Sequence, residues 1–451
     1  MMKRGKSLIA ALALPLFACG GSSGGGSSTA PTPTPSSSST AAPTPTPSPT
    51  AAYWNIEYVH IFGVEEPSGS QPAHQLLQAS DGMLYGVTLS GGAANCSPFK
   101  NLPCGTVYRS TLDGKVELLH IFGQVEPDGY SPSGGLIEGD DGRLYGVASS
   151  GGNIGSQGGG GVLYRMEKDG SAYEVLHRFG VNPGDGYVPI GKLLEAPDGA
   201  IYGTTANGGT NTCVQIPSTG PNCGTIFRLD SDGSYQTVHS FGNSPVDGVQ
   251  PGGGLLYASD GNFYGTTTMG GENLCLGQHI CGTMFRMTSA GEVTVVHSFG
   301  ETSSSPATPD GGLIQASDGH IYGSSRGFSG TFFQFKLSGE VTTLFNFKTN
   351  SRESGSGPYP AIEGDDGAFY GTTSAEGPNG SGSGTVYRVS PNGEFSTIFA
   401  FGPLLDFPHE PMGSLIQASD GALYGVIRNN GNIGGVGARS GYGALFRLSR
   451  N

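Results

Sequence analysis

The chain predicts an all-β protein, a seven-bladed β-propeller of four-stranded antiparallel blades closed by an N-terminal strand that completes the last blade. Three observations carry this. Asp-Gly, two further residues and Tyr-Gly recur seven times, starting at Asp81, Asp141, Asp198, Asp260, Asp318, Asp366 and Asp420. Asp81 to Asp420 is 339 residues in six steps, a mean period of 56.5, the size of one supersecondary unit in an array. Finally, the chain opens with the run that its last copy lacks.

Met1 to Cys19 reads as an export signal. Lys3, Arg4 and Lys6 precede an apolar stretch, Leu8 to Phe17, that is too short to span a bilayer. The run Leu16-Phe17-Ala18-Cys19 resembles the lipobox of bacterial lipoproteins. That resemblance implies cleavage after residue 18, lipidation of Cys19 (diacylglycerol, with palmitate-type acyl chains) and, with Gly20 next, placement in the outer membrane at the cell surface. Each buried acyl CH₂ adds about 0.8 kcal/mol to such an anchor. Residues 19–52 follow as a tether, in which Gly20 to Ala52 holds only Gly, Ser, Thr, Pro and Ala. With nothing to bury, it is expected to be disordered and to reach roughly 100 Å.

Residues 53–451 hold the repeats. In the fourth copy the four β-like runs are Gly254 to Ala258, Asn262 to Thr268, Gly282 to Met287 and Glu292 to Phe299, here A, B, C and D. Thr, Val, Phe and Tyr dominate them, as pleated and buried surface prefers. No sustained 3.6-residue apolar period appears outside the signal, so almost no helix is expected. A turns into B through Asp-Gly, and C into D through pairs such as Asp113-Gly114 and Asn392-Gly393, which tolerate positive φ. The B–C and D–A connections are longer and more varied. One rim of the propeller is therefore short and uniform, and the other is where binding is expected.

Run C reads Gly-Thr-Val-Tyr-Arg from Gly105 and recurs from Gly161, Gly224, Gly282, Gly330, Gly384 and Gly443. Run D ends in His-x-Phe-Gly at His60, His120, His177, His239 and His297, with Phe345 and Phe399 in place of His later. The first D run, Tyr53 to Gly63, has no A, B or C before it, and the last copy stops at Asn451 after C. Pairing Trp54 to Phe62 with Leu445 to Leu448 closes the ring and protects the edge strands. An open solenoid leaves these permuted ends unexplained.

Together these three motifs resemble the bacterial GloVer tandem repeat of extracellular proteins, across essentially all of 53–451. Asp-Gly-x-Leu-Tyr-Gly is also similar to the sensor-propeller repeat of two-component regulators. The GloVer resemblance implies a propeller with varied anchoring, in keeping with Cys19, and brings no activity or site residues. Copies five and six depart most and are expected to form weaker blades.

Composition narrows the functions. A net charge of −14 with 22 Lys and Arg, and no basic run past the N-terminus, argues against nucleic acid. The only membrane contact expected is the lipid anchor, and the domain is expected to be monomeric. Six cysteines fall in pairs within single B–C loops, Cys96 with Cys104, Cys213 with Cys223 and Cys275 with Cys281, which in an exported protein reads as disulfides. His279 lies between the last two, but no Cys-x-x-Cys spacing supports zinc, and no metal or other cofactor is expected.

No catalytic residue stands out. A histidine repeated in five blades is structural, and His74, His279, His320 and His409 are expected at the surface. Asp128, Asp185, Asp247 and Asp310 each precede Gly in a D–A loop, either as turn residues or as a ring of carboxylates on the long-loop rim for Ca²⁺ or hydroxyl-rich ligands. Tyr108-Arg109 and its repeats read as packing. The Gly-rich stretch 151–161 lacks the following helix of a P-loop. The functional expectation is a lipid-anchored binding module that takes a polysaccharide or an envelope protein on its long loops. The alternative is a glycan lyase or hydrolase on the same fold.

Overall fold

The computed structural model describes residues 54–450 except 64–68, 93–103, 125–126, 153–158, 212, 214–222, 245, 276–280, 303–304, 310–311, 328–329, 348–352, 379–382, 403–408 and 430–441. The signal, Cys19 and the tether lie outside the described residues.

Seven antiparallel sheets follow one another, each ordered A–B–C–D. Blade 1 is Ser70–Gln78, Leu84–Ser90, Thr106–Ser110 and Val116–Ile121. Blade 7 takes A, B and C from His409–Pro411 with Ile416–Gln417, Leu423–Asn429 and Ala444–Arg450, and D from Trp54–Ile61. Its closing register pairs Ile56 with Leu448 and Tyr58 with Phe446. Arg450 lies 5.6 Å over the ring of Trp54 at the end of this pair. No helix occurs among the described residues.

The Asp-Gly-x-x-Tyr-Gly motif folds as one device. In blade 1, Asp81 Oδ1 accepts the Met83 N–H at 3.0 Å and Oδ2 accepts the Tyr85 hydroxyl at 2.7 Å. Asp260 with Tyr264, Asp318 with Tyr322 and Asp420 with Tyr424 repeat it. Burial first, and then the carboxylate, push the phenols of Tyr264, Tyr322 and Tyr424 up to about 12. The second Gly is steric. A Cβ on Gly86 would strike the Tyr108 ring of run C, and one on Gly203 or Gly425 would strike Phe227 or Phe446. The Phe of His-x-Phe-Gly is buried in every copy, and its N–H donates to the Gly that opens run C, as Phe122 does to Gly105 at 3.2 Å.

Strand A begins earlier than the sequence suggests. Copy four has Val249–Pro251 before a break and then Leu256–Tyr257, where a strand from Gly254 was expected. Pro251 and three glycines hide this half, since neither favours a central strand. The residue before each such Pro is left-handed: Gln71, Ser131, Val188, Gln250, Thr308, Gly357 and Glu410 all have φ between 44° and 63°. Six of these are not glycine, and each costs about 1–2 kcal/mol. A repeated bond holds them. The Ser131 N–H donates to Cys104 O at 3.1 Å, Val188 to Gly160 at 2.7 Å and Gln250 to Cys223 at 2.8 Å, each on the preceding blade. The Pro that follows packs on the glycine opening run C of that blade, Pro132 on Gly105 and Pro251 on Gly224. The ring closes the same way, through Gln71 N–H to Tyr442 O at 2.8 Å and Pro72 on Gly443.

On the opposite rim a second latch repeats. The last residue of strand A accepts from the A–B turn of the previous blade: Glu138 from Ser80, Glu195 from Asp140, Gln315 from Ser259, Glu363 from Ser317, Gln417 from Asp365, and Gln78 from Ser419 across the seam. Blade 3 has Pro197 at the donor position, with no N–H to give, and blade 4 answers with Tyr257.

Candidate functional site

Among the described residues, those just after the strand A Pro line the axis, as His74 and Gln75, Gly134 and Gly135, and Gly312 do. The repeat fills these places with small residues, such as Gly134-Gly135, Gly252-Gly253-Gly254 and Gly413-Ser414. Register shifts in strand A, between Ala73 and Leu77 and between Ile190 and Leu194, mark the same place. The seven walls enclose a cavity of about 700 Å³ to which every blade contributes. It reaches from Gln250 and Thr268, near the long loops, to Tyr257 and Ile362, near the A–B turns.

A few large side chains break the small-residue rule here. His74 sits at φ 65°, a place where Gly134, Gly191 and Gly413 serve in blades 2, 3 and 7. Burial pulls its pKa down to about 4, opposed by a bond from the ring to the Pro132 carbonyl, and Nε2 is buried with no partner. Lys192 stands where blades 2, 4 and 5 have Gly135, Gly254 and Gly312. Its side chain is open to the cavity, and the crowding walls of the axis thin the water around its ammonium and lower its pKa. Arg326 occupies the strand B position that holds Ala206 in blade 3 and Thr268 in blade 4. Its guanidinium lies 4.3 Å over the Tyr359 ring, and the Tyr359 hydroxyl points to Met412 Sδ at 3.1 Å.

The long-loop rim is used differently from the expectation. Asp128 and Asp185 are only 5% and 7% exposed. Asp128 accepts the Gly123 N–H at 2.7 Å, the Gly129 N–H at 2.8 Å and the Tyr173 hydroxyl of the next blade at 2.6 Å, with His120 Nε2 at 3.2 Å. Asp185 does the same with Gly180, Tyr235 and His177. The two histidine rings stack on those tyrosines at 3.9 and 3.4 Å. These two carboxylates act as inter-blade clamps, which leaves little of either open to a ligand on the rim. Asp247 is looser, 3.8 Å from His239, and Asp310 lies outside the described residues. Among the described residues no group of three potential metal ligands forms.

The histidines outside the repeat also need correction. His74 lines the axis, and His409 is buried at the start of strand A in blade 7; neither is on the surface. His320 is partly exposed in its A–B turn, and His279 lies outside the described residues. The loop disulfides Cys213–Cys223 and Cys275–Cys281 are present, with Cα atoms 5.7 and 5.4 Å apart. Cys104 is disulfide-bonded, and Cys96 lies outside the described residues.

Neither Lys192 nor Arg326 stood out in the sequence, because the motifs that mark the repeat lie in B, C and D. Superposing the copies on Pro72, Pro132, Pro189, Pro251, Pro309, Pro358 and Pro411 exposes both.

The sequence profile described as the Gloeobacter/Verrucomicrobia repeat matches residues 48–277, 154–327 and 275–451. The chain belongs to this repeat family. The overlapping matches together run from residue 48 to residue 451 and so take in all seven blades. No protein of curated function matches the chain. Among solved structures it is similar to an oligogalacturonate lyase in complex with manganese, at 12% identity over 88% of this chain and 97% of that one, with a TM-score of 0.50. It is also similar to an oligogalacturonate lyase from Vibrio parahaemolyticus, at 11% over 88% and 97% and a TM-score of 0.47. A gluconolactonase from Xanthomonas campestris aligns at 13% over 88% and 90%, with a TM-score of 0.41. At such identities the likeness concerns the fold alone, since propellers host unrelated chemistries.

Proposed function

We propose that the protein is a lipid-tethered envelope propeller that binds a saccharide in its axial cavity, with the long loops around the mouth. One observation carries the reading. Elsewhere the repeated polar side chains are spent on turns, latches and clamps, whereas on the axis His74, Lys192, Arg326 and Tyr359 depart from the repeat and gather on one surface. A volume of about 700 Å³ lies in the range of small-ligand sites, roughly 300–1,000 Å³. Side chains that serve neither turn nor core, gathered on one concave surface, are what a ligand needs. The signal, Cys19 and the 19–52 tether support placement on the outer membrane, with a polysaccharide end or a released oligosaccharide within reach.

The test is a glycan array probed with the full chain in detergent, read beside an assay for new reducing ends. Binding that an axial variant such as His74→Asn weakens, without product, supports the proposal. Release of product would move the protein to the glycan-cleaving enzymes. Binding untouched by axial changes would place the site on the outer rim instead. For the anchor, Cys19→Ser should abolish palmitate labelling and release the protein into the soluble fraction; retention in the membrane would refute it.

A further inference from the structure

We infer, resting on the axial site just described, that the ligand is a sugar acid, a hydroxyl-rich saccharide carrying one carboxylate that pairs with Lys192. The first argument is the position. Aligned blades supply Gly135, Gly254 and Gly312 there, so the backbone needs no side chain, and the repeat gives no structural reason for an ammonium. The second is its isolation. Desolvation alone acts on Lys192, and no carboxylate among the described residues lies within ion-pair distance. A cation that faces a cavity with part of its hydration removed and no counter-charge beside it is a ready partner for a bound carboxylate, which would supply that counter-charge. The third is the setting. In a chain of net charge −14, where acids outnumber bases, the side chains described on this wall include Lys192 and Arg326 and no Asp or Glu.

The rest of the wall suits hydroxyls better than a second anion. Gln75, Gln250, Thr268 and Ser414 offer neutral donors and acceptors, and the glycine-lined stretches bring backbone polar groups close to the axis. His74 adds a strained residue in a conformation that three other blades give to glycine, and strain of this kind collects at functional sites.

The experiment is calorimetric titration of the full chain with D-galacturonate, digalacturonate, D-galactose and inorganic phosphate. We expect an acid sugar to bind at least about tenfold more tightly than galactose, with affinity falling as salt rises. Lys192→Met should bring the acid down to the level of the neutral sugar while the melting temperature holds. The Lys192 ammonium, followed by NMR, should titrate higher when the acid is bound. Equal affinity for acid and neutral sugar, an undiminished Lys192→Met variant, tighter binding of phosphate, or no binding of either acid at millimolar concentration would each overturn the inference. Neutral-sugar binding that His74→Asn weakens would leave the axial site standing and sink only its charge preference. Absence of any saccharide on the axis would sink both.

Discussion

Two blade junctions solve one packing problem with opposite chemistry. Between blades 1 and 2, His120 stacks on Tyr173 at 3.9 Å, and buried Asp128 ties both rings to two backbone amides. Between blades 5 and 6, Phe345 stacks on Phe395 at 4.0 Å with the planes 7° apart, and neither ring carries a polar atom to tie to a carboxylate. The expectation that copies five and six make weaker blades rests on their short loops and on the lost histidine. The geometry shows a swap: ring area replaces a hydrogen-bond network. A buried carboxylate is tolerable only when its acceptors are satisfied, while two phenyl rings carry no such condition. The comparison also explains why His and Phe alternate at one strand position, since both present a flat face to the next blade.

The largest expected effect removes a junction outright. Deleting Tyr53 to Gly63 strips strand D from blade 7 and should cost cooperative folding altogether; a deletion melting like the intact chain would show the ring does not depend on its seam. Next, Phe395→Ala should cost about 3 kcal/mol in denaturant unfolding, the low end for a lost aromatic ring, because the ring is half-buried in a tight stack. Asp128→Ala should cost about 3 kcal/mol, because the Tyr173 hydroxyl and two amides lose their acceptor. If Asp128→Ala proves harmless, the network is decoration and the stacked rings hold both junctions.

A histidine without a carboxylate sharpens the contrast further. His74 has a folded pKa near 4 against 6.5 unfolded, so between these values the unfolded chain takes up the proton first. Stability is therefore full above pH 6.5 and falls as the pH drops toward 4, by up to about 3 kcal/mol. His74→Asn, which tolerates the left-handed backbone, should flatten this acid slope; an unchanged slope in pH-dependent melting would contradict it. The smallest effect is Tyr173→Phe, about 1 kcal/mol at neutral pH. Its sign should reverse in base. Burial and Asp128 hold the Tyr173 phenol above its ordinary value of 10, so the wild type loses stability as the unfolded tyrosine ionises, and Phe escapes that loss.

Much of the fold was legible because its motifs are local. Asp81 to Tyr85 lie four residues apart, and the pairing of Trp54–Ile61 with Ala444–Arg450 followed from which run was missing at each end. What stayed hidden depends on distance or on weak strand formers. Tyr173 reaches Asp128 from 45 residues away, in another blade, so Asp128 looked like a turn residue open to ligands. The outer half of strand A was masked by Pro251 and its glycines, and with it the axis that Lys192 and His74 share.

The proline-on-glycine contact at the seam has one more consequence. Pro72 on Gly443 is the same joint as Pro132 on Gly105, so the bonds do not record where the polypeptide starts. A circular permutant that opens the circle in another D–A connection and fuses the present termini would rebuild an equivalent joint. Such a molecule should reach the same fold, leaving only the order in which blades dock to betray its new beginning.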